Sequence, residues 1–446
     1  MMKFDELNLN RPLLNALEEL GYVHPTTIQH KGFPVIMSGR DVVGIAQTGT
    51  GKTMAYLLPV LRQWEFSKNK VLKVLVLVPT RELVVQVVEV AKKLSTYMSV
   101  RVEGVYGGVN MKPQMALLEG GVDILVATPG RLLDLILNGT VNIKTVRRLV
   151  IDEVDEMLSL GFKYQLTTIL NLLPDRRQNL MFSATITDDV EALINHYFNG
   201  PVKIEAAPTG TPLDNILQRG YALPNFYTKV NMLEMLLSDE AVYRKVLVFA
   251  ATKKLADQLY EQIGGKFPDK IGVIHSNKSQ NNRFDTVKRF DSGEYRVLIA
   301  TDIIARGLDI SGVSHVINFD VPDEAENYIH RIGRTGRADK EGVAITFITP
   351  GEAALQEAIE TLMHTSIPMH GLPEGLEITD KLTYDEMPKN LVKNVQDKFE
   401  RKVPTGGFHE KLEKNKKVNA PISRGEKLKL KYGKPKTRGQ KPAKRK

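Results

Sequence analysis

Two short polar blocks in this chain could together bind and cleave a nucleoside triphosphate. The first is AQTGTGKT at residues 46–53, whose glycines allow backbone amides to approach phosphate oxygens. Within it, Lys52 would contact the β- and γ-phosphates, and the Thr53 hydroxyl would ligate Mg²⁺. The second block, HRIGRTGR at residues 330–337, offers guanidinium groups that can neutralise a developing phosphate charge. We therefore expect one half of the chain to bind ATP and the other half to complete the site.

A pair of adjacent acids points to the same chemistry. In LVIDEVD (residues 149–155) an apolar run ends in Asp152, which can add a carboxylate to the Mg²⁺ shell. Glu153 follows and could orient or deprotonate the attacking water. Such a pair can instead only complement a helix dipole, and the first block could be no more than a glycine turn. Because the two motifs occur together, 100 residues apart from Lys52 to Asp152, we favour catalysis.

Short runs rich in Val, Ile and Leu alternate with helix-like stretches and must position these motifs. Such runs predict parallel sheets that are covered on both faces. A segment rich in Pro, Gly and Thr (residues 206–212) reads as a linker between two sets of runs. We predict an α/β fold of two domains, residues 1–207 and 214–370, with a linker at 208–213 and an extension at 371–446. The runs are residues 74–78, 123–127, 149–151, 180–182, 246–250, 271–274, 297–300, 316–319 and 344–348.

Polar motifs stand directly after several of the predicted strands. PTRE, TPGR, DEVD and SAT follow runs of the first set, and TD follows a run of the second set. In open α/β sheets, ligands bind outside the carboxyl ends of the strands. One edge of each sheet should therefore carry the chemistry.

Composition excludes several other kinds of site. The 446 residues contain no cysteine, which rules out disulfides, thiolate zinc sites and a cysteine nucleophile. The N-terminus shows neither the basic nor the apolar region of a signal peptide, and no run approaches the 18 apolar residues of a membrane span. We expect a cytoplasmic protein without a membrane partner.

The positive charge of the chain is concentrated in its C-terminal extension. Residues 389–446 contain 20 Lys and Arg against 5 Asp and Glu, an excess of 15. Since the whole chain carries +9, the remaining residues sum to 9 minus 15, or −6. The extension has few large apolar residues, so we expect a disordered tail without a packed core. It could bind a polyanion such as nucleic acid, or serve only as a solubilising extension.

With these motifs in view, the chain resembles the DEAD-box RNA helicases of superfamily 2 over about residues 4–350. This resemblance implies two tandem RecA-like domains of the P-loop NTPase class. The matching segments, in order, are the Q motif at residues 4–30, AQTGTGKT, PTREL (79–83), GG (107–108), TPGR (128–131), DEVD (152–155), SAT (183–185), VFAAT (248–252), QNNR (280–283), ATDIIARGLDI (300–310) and HRIGRTGR. The segments GGVNMKPQ (107–114) and HSNKSQ (275–280), with the basic tail, are most similar to the bacterial RhlE branch.

The resemblance implies roles at the nucleotide. Phe4 would stack on adenine, Gln29 would read its edge, and Asp309 would hold the ribose from the second domain. Catalysis would fall to Lys52, Asp152, Glu153, Arg334 and Arg337, with Mg²⁺ held by Thr53 and Asp152. The loop around the phosphates would comprise Ala46, Gln47, Thr48, Gly49, Thr50, Gly51, Lys52 and Thr53.

It also implies a coupling group and an RNA path. Asp155, Ser183, Thr185 and His330 would connect the nucleotide to RNA, although His330 alone could equally be a structural histidine. The residues lining the RNA backbone would be Arg81, Gly108, Thr128, Arg131, Arg283, Thr301 and Gly307.

Three positions depart from the family pattern. Val154 replaces the Ala that names the box, Thr27 replaces a Pro in the Q motif, and Val84 replaces an Ala after PTREL. None of these changes removes a charged or nucleophilic group, so we expect altered packing with catalysis retained.

The implied function is an RNA-dependent ATPase and ATP-dependent RNA helicase. It would unwind short duplexes locally, or remodel RNA–protein complexes, through ATP-gated closure of the two domains. RNA would be held by phosphate and 2′-OH groups with little sequence preference. A DNA helicase or translocase, a slow RNA clamp and an inactive RNA-binding protein are the alternatives. Ribosome assembly and mRNA turnover are both open as pathways, with ribosomal or RNA-decay proteins as possible partners.

Overall fold

Two parallel sheets, one from each half of the chain, organise the protein. The structure is a computed structural model that describes residues 2–47, 49–66, 71–206, 215–302, 312–336 and 341–387. Residues 1–386 form one compact unit that contains both sheets. In the part of the chain so described, no helix is both long enough and apolar enough to span a bilayer.

The first sheet alternates with helices on both faces. Its strands are β1 (Val42–Ile45), β2 (Val74–Leu77), β3 (Val102–Val105), β4 (Ile124–Ala127), β5 (Arg148–Asp152), β6 (Gln178–Ser183) and β7 (Val202–Glu205), in the order β3-β4-β2-β5-β6-β1-β7. Its helices are α1 (Arg11–Glu19), α2 (Thr27–Met37), α3 (Lys52–Arg62), α4 (Arg81–Leu94), α5 (Met111–Glu119), α6 (Pro129–Leu137), α7 (Val154–Ser159), α8 (Lys163–Leu172) and α9 (Asp188–Tyr197), and a 3₁₀ turn covers Phe4–Leu7.

The second sheet repeats this arrangement. Its strands are β8 (Ile216–Ala222), β9 (Val246–Phe249), β10 (Ile271–Ile274), β11 (Val297–Ala300), β12 (His315–Asn318), β13 (Gly342–Ile348) and β14 (Met369–His370), in the order β10-β11-β9-β12-β13-β8-β14. Its helices are α10 (Phe226–Ser238), α11 (Lys253–Ile263), α12 (Gln280–Asp291), α13 (Ala325–Ile332) and α14 (Ala353–Met363), with a 3₁₀ turn at Pro350–Glu352.

Central strands are continuous apolar runs because both of their faces are covered. All four residues of β2 and of β9 are buried, as are those of β4 and β11. Helices begin at the carboxyl ends of these strands through polar caps. Thr80 accepts a hydrogen bond from the Leu83 amide at the start of α4, and Thr252 does the same for Leu255 at α11. These short strand-to-helix turns bring the polar motifs to one edge.

Several strands were not predicted, because they are not continuous apolar runs. β3 reads VEGV and β7 reads VKIE, with exposed or half-exposed positions in each, because both lie at the edges of the first sheet. β8 reads ILQRGYA and mixes polar residues with apolar ones although it lies between β13 and β14. Alternating patterns of this kind give a weaker signal than continuous runs.

The first part of the predicted C-terminal extension is packed against the second domain. We call residues 371–387 the C-terminal strap. Its Thr379 carbonyl accepts a hydrogen bond from the Asn225 side chain, and its Glu386 carboxylate accepts one from the Phe226 amide at 2.6 Å. The Glu377 carbonyl accepts one from Asn231 Nδ2 at 2.9 Å. The strap therefore lies along α10. The linker at 208–213 and the tail from residue 388 lie outside the described residues.

Candidate active site

The phosphate loop leaves β1 and turns directly into α3. Gly49 and Gly51 adopt left-handed conformations with φ of 85° and 88°, which side chains other than glycine disfavour. The Ala46 amide donates to the Ser183 carbonyl at 3.0 Å, and the Thr50 hydroxyl donates to the Gln47 carbonyl at 2.6 Å. Thr48 is outside the described residues. The α3 N-terminus thus points backbone amides into the loop, as an anion site requires.

Gln29 of α2 is hydrogen-bonded to the phosphate loop. Its Oε1 accepts a hydrogen bond from the Thr26 amide at 3.0 Å, and its Nε2 donates to the Gly51 carbonyl at 3.1 Å. A Cβ atom at Gly51 would lie only 2.3 Å from Gln29 Nε2, so the contact needs glycine there. Phe4 is buried in the core of the first domain at 3% exposure. Adenine recognition by Gln29 and Phe4 stays a prediction.

A buried cluster of one lysine and three acids lies beside the loop. Lys52 Nζ is 2.8 Å from Glu153 Oε1, and the two side chains are only 5% and 7% exposed. Burial lowers the pKa of Lys52, but Glu153, Asp152 and Asp155 outweigh it and raise that pKa overall. Burial likewise raises the pKa of Asp152 to about 7, against the opposing attraction of Lys52. The buried side chains of the cluster therefore set one another's charge.

Tyr56 is part of this cluster, although sequence reasoning missed it. Its hydroxyl donates to Asp152 Oδ2 at 3.1 Å, and its ring lies 5.4 Å from that of Phe182. Burial, followed by the charge of Asp152, raises the pKa of Tyr56 well above its usual range. A polar aromatic one helical turn after Lys52 was the available signal, because residues four apart share a helix face.

The backbone at Glu153 is strained. Its φ of 52° and ψ of 51° place a non-glycine residue in the left-handed region, at the cap of α7. Conformations of this kind persist where the surrounding structure enforces them and cluster at functional sites. Here the turn places Glu153 beside Lys52 directly after Asp152 ends β5.

Asp155 connects the acidic cluster to the second domain. Its Oδ2 accepts hydrogen bonds from the Thr185 amide at 2.9 Å and the Thr185 hydroxyl at 2.8 Å. His330 Nε2 lies 4.0 Å from the same oxygen. Burial raises the pKa of Asp155, but His330, Lys52 and the hydroxyls of Thr185 and Ser183 outweigh it and lower that pKa overall. The predicted coupling residues are thus brought together, and Ser183 donates to the Thr185 carbonyl at 2.7 Å.

The arginines of the second block differ in their surroundings. Arg331 is 1% exposed, and its Nη2 and Nη1 donate to Asp302 Oδ2 and to the Asp320 carbonyl, both at 2.7 Å. Arg334 is 4% exposed, and its Nε donates to the His330 carbonyl at 3.2 Å. Arg331 therefore acts within its own domain. Arg337 and Asp309 lie outside the described residues.

The predicted RNA-path residues fall into two groups. In one, the Arg81 guanidinium covers Gly108 so closely that a Cβ there would lie 1.8 Å from Arg81 Nη2. In the other, Arg131 is buried and donates to Gln114 Oε1 and to the Val109 carbonyl, both at 2.7 Å. Arg131 thereby shapes the loop whose Gly107 amide donates to the Thr128 hydroxyl at 3.3 Å.

Two further RNA-path residues lie in the second domain. Arg283 of α12 forms an ion pair with Glu82 of α4, across the two domains. Thr301 is buried after β11, and its amide donates to the Ile274 carbonyl at 3.4 Å. Gly307 is outside the described residues. RNA contact by any residue of this path stays a prediction.

The acids present suit a hard cation. Asp152 Oδ1 and Glu153 Oε2 are buried, and neither has a hydrogen-bond partner within the described ranges. Mg²⁺ prefers one or two carboxylates together with phosphate oxygens and water. Asp152, with Thr53 at the loop, therefore fits such an ion.

Comparison with known proteins gives two family matches. The model described as DEAD/DEAH box helicase matches residues 26–193, and the helicase conserved C-terminal domain matches residues 228–339. The DEAD-box ATP-dependent RNA helicase CshA of Geobacillus kaustophilus is 41% identical over 362 residues, which cover 81% of this chain and 76% of that protein. The DEAD-box ATP-dependent RNA helicase RhpA of Helicobacter pylori is 39% identical, over 78% of this chain and 70% of its own.

Solved structures give the same result. S. cerevisiae Dbp5 bound to RNA and ADP BeF3 is 28% identical with a TM-score of 0.75, and the match covers 89% of this chain and 99% of that one. Mss116p bound to ssRNA and AMP-PNP is 28% identical with a TM-score of 0.77, over 84% of this chain and 81% of that one.

Sheets and phosphate loop together define a P-loop nucleoside triphosphatase with two RecA-like domains. The chain belongs to the DEAD-box ATP-dependent RNA helicases. The predicted fold class, the ATP hydrolase class and the RNA helicase activity are thereby confirmed. The domain boundaries and the roles of individual residues stay predictions.

Proposed function

We propose that ATP gates this enzyme by closing its two domains on RNA, which separates short duplexes locally or remodels RNA–protein complexes. The observation that carries the proposal is the contact of Asp155 with Thr185 on one side and with His330 of the second domain on the other. This chain of contacts begins at Asp155, two residues after Glu153, and ends in the other domain. ATP and RNA would each favour closure, so their affinities should be coupled reciprocally.

Each residue of the cluster has a role in this scheme. Lys52 and the loop amides bind the phosphates, and Thr53 and Asp152 would hold Mg²⁺, which neutralises phosphate charge when bound. Glu153 accepts a proton from the attacking water, and its pairing with Lys52 holds it beside the loop. Arg334, with Arg337, stabilises the transition-state charge from the second domain, a contribution worth about 10³–10⁵ in rate.

Finer features of the proposal rest on sequence. We place the chain in the RhlE branch because of residues 107–114 and 275–280 and the basic tail. We also propose a cytoplasmic location, with which the absence of cysteine is compatible. Ribosomal or RNA-decay proteins are the partners that such a helicase would meet. The tail would add RNA affinity that weakens with salt.

The first experiment measures ATP hydrolysis by the full chain without nucleic acid, with single-stranded RNA and with DNA of the same sequence, at two salt concentrations. Strong stimulation by RNA alone supports the proposal and makes duplex unwinding the next test. Equal stimulation by DNA would favour a general nucleic-acid translocase. ATP-dependent RNA binding without stimulated hydrolysis would favour the clamp.

A further inference from the structure

Five arginines lie at the edge of the first sheet opposite the ATP site. Arg40 precedes β1, Arg147 and Arg148 open β5, and Arg176 and Arg177 precede β6. The strands β5, β6 and β1 are neighbours in the sheet, and all run in the same direction. Their amino ends therefore lie side by side, and the five arginines form one row, which we call the basic belt. The phosphate loop follows the other end of β1.

The charges of the belt are not neutralised internally. None of the five arginines forms an ion pair with another described residue. Arg177 donates to Asn179 Oδ1 and to the Pro174 carbonyl, both at 2.8 Å, and Arg148 donates to Gln178 Oε1 at 3.3 Å. These acceptors are neutral. Burial, and then the charge of Arg147, lowers the pKa of Arg148, as expected where positive groups crowd together.

Two acids lie near the belt but do not neutralise its positive charge. Asp41 is 7% exposed, and its carboxylate accepts hydrogen bonds from the Asn179 amide at 2.7 Å and the Asn199 amide at 2.9 Å, so it is directed inward. Asp175 is exposed, and both acids partly offset the effect of burial on the pKa of Arg177. Five arginines against two acids still leave an excess of positive charge, on a body whose charge outside the tail is negative.

A concave surface accompanies the belt. A depression of about 620 Å³ is lined by Arg40, Arg176 and Arg177 and by the two acids Asp41 and Asp175, among others. Arg40, Arg147 and Arg176 are exposed. Guanidinium groups bind phosphate oxygens with two parallel hydrogen bonds, which suits them to nucleic-acid backbones.

Other cations at the amino edges of the sheets are paired with acids, and the second domain gives two examples. There, Lys245 before β9 pairs with Asp291 at 3.3 Å, and Arg296 before β11 pairs with Glu240 at 3.5 Å. Arg101 before β3 is likewise paired with Asp123 before β4 at 2.7 Å in the first domain, whereas the five arginines of the belt form no such pair with a described acid.

We propose that the basic belt is a second RNA-binding surface, which holds the backbone of RNA that flanks the segment bound at the carboxyl edge. RNA is the favoured occupant because the proposed function, on which this inference rests, places RNA at the other edge. A flanking stem on the same molecule would reach the belt at a high effective concentration. An acidic protein segment is the competing occupant that the test must separate.

The test uses the full chain with the substitutions R40Q, R147Q and R176Q, at three exposed arginines whose side chains form no hydrogen bond or ion pair with another described residue. The matched control, R244Q with K270Q and K288Q, removes three exposed charges from the second domain. Binding is measured with a short single-stranded RNA, with the same strand joined to a long hairpin stem, and with polyglutamate, each across a salt series.

We expect the belt variant to bind the short RNA like the unchanged protein and to bind the stem RNA roughly tenfold more weakly. The slope of log affinity against log salt for the stem RNA should fall by about 2–3, one step for each lost phosphate contact. Unchanged affinity for the stem RNA would overturn the proposal, as would an equal loss in the control variant or on the short RNA. If polyglutamate binding alone were lost, the belt would be a site for acidic proteins.

Discussion

The two domains share one strand order but bring opposite charges to the carboxyl edges of their sheets. The first domain supplies Lys52 with three buried acids, of which Asp152 and Glu153 each keep an oxygen without a hydrogen-bond partner in the described chain. The second domain supplies His330 and the arginines around it. A fold of this kind therefore fixes where a site lies and leaves its chemistry to the loops. Under the proposed function neither half is a complete ATPase, so closure of the two domains would act as a switch.

The difference continues within the second domain. Arg331 is held by Asp302 and the Asp320 carbonyl, while Arg334 of the same block donates to the His330 carbonyl. Arginines three residues apart thus have different acceptors, a carboxylate for Arg331 and a backbone carbonyl for Arg334. The comparison of the two domains can be tested by removing one contribution at a time.

The largest effect should come from the second domain's cation. Arg334→Ala should lower kcat by about 10³–10⁵, the usual value of an arginine finger, and leave ATP binding by the first domain nearly intact. ATPase assays with saturating RNA, together with nucleotide binding, measure both quantities. Arg334→Lys tests whether the loss reflects the guanidinium and not folding, and the exposed Arg244→Ala is the control. A loss below tenfold would remove Arg334 from the transition state.

Removal of the proposed base of the first domain should give the complementary phenotype. Glu153→Gln should lower kcat by roughly 10²–10⁴, because a general base is lost, while ATP and RNA stay bound together. The measurement is RNA release after ATP addition, with the exposed Glu119→Gln as control. If Glu153→Gln turned over ATP at the normal rate and released RNA promptly, another group would have to be the base.

Sequence alone gave the motifs, the two sheets and the edge at which ligands bind, because continuous apolar strands and motifs that follow them are local signals. Long-range contacts were not accessible in this way. Tyr56 and Asp152 are 96 residues apart, and Arg283 and Glu82 are 201 apart. The strap was also missed, since its contacts to α10 use backbone carbonyls and the carboxylate of Glu386, which no apolar pattern reveals.

Acid should weaken the second domain through His315. Burial, helped by Arg219 and Arg244, lowers the pKa of His315 to about 4 from 6.5. A lowered pKa gives stability that is present above pH 6.5 and is lost as the pH falls toward 4. His315→Phe, which keeps a ring against Tyr243, should reduce this loss by about 1–2 kcal/mol, because solvent screens part of the charge effect.

Asp152 in the first domain has the opposite effect on stability, because its raised pKa favours the folded state at low pH.

The test of His315 is thermal unfolding of the unchanged protein and of His315→Phe at pH 7 and pH 4. Circular dichroism follows both domains, and the fluorescence of the single tryptophan, Trp64, follows the first domain. His196→Gln, an exposed histidine, is the control. An unchanged acid response in His315→Phe would show that His315 does not titrate on unfolding.

A smaller effect is expected from the tail, which belongs to neither edge. Truncation after Met387 keeps the strap and should weaken RNA binding at low salt by about tenfold, with RNA-saturated ATPase unchanged. Truncation after His370 also removes the hydrogen bonds from Asn225, Phe226 and Asn231, so it should lower the unfolding temperature as well. Collapse of saturated turnover in the longer truncation product would place the tail in the catalytic core.

The mildest change tests how the first domain holds Asp152, the proposed metal ligand. Tyr56→Phe keeps the ring against Phe182 but removes the donor to Asp152 Oδ2, so the carboxylate loses the bond that fixes its orientation. The Mg²⁺ concentration for half-maximal ATPase should rise roughly 3- to 10-fold, a part of the usual value of a hydrogen bond to a charged group. Tyr164→Phe, at an exposed tyrosine, is the control. If instead kcat fell with no change in Mg²⁺ dependence, Tyr56 would act on the acidic pair by a route other than the orientation of Asp152.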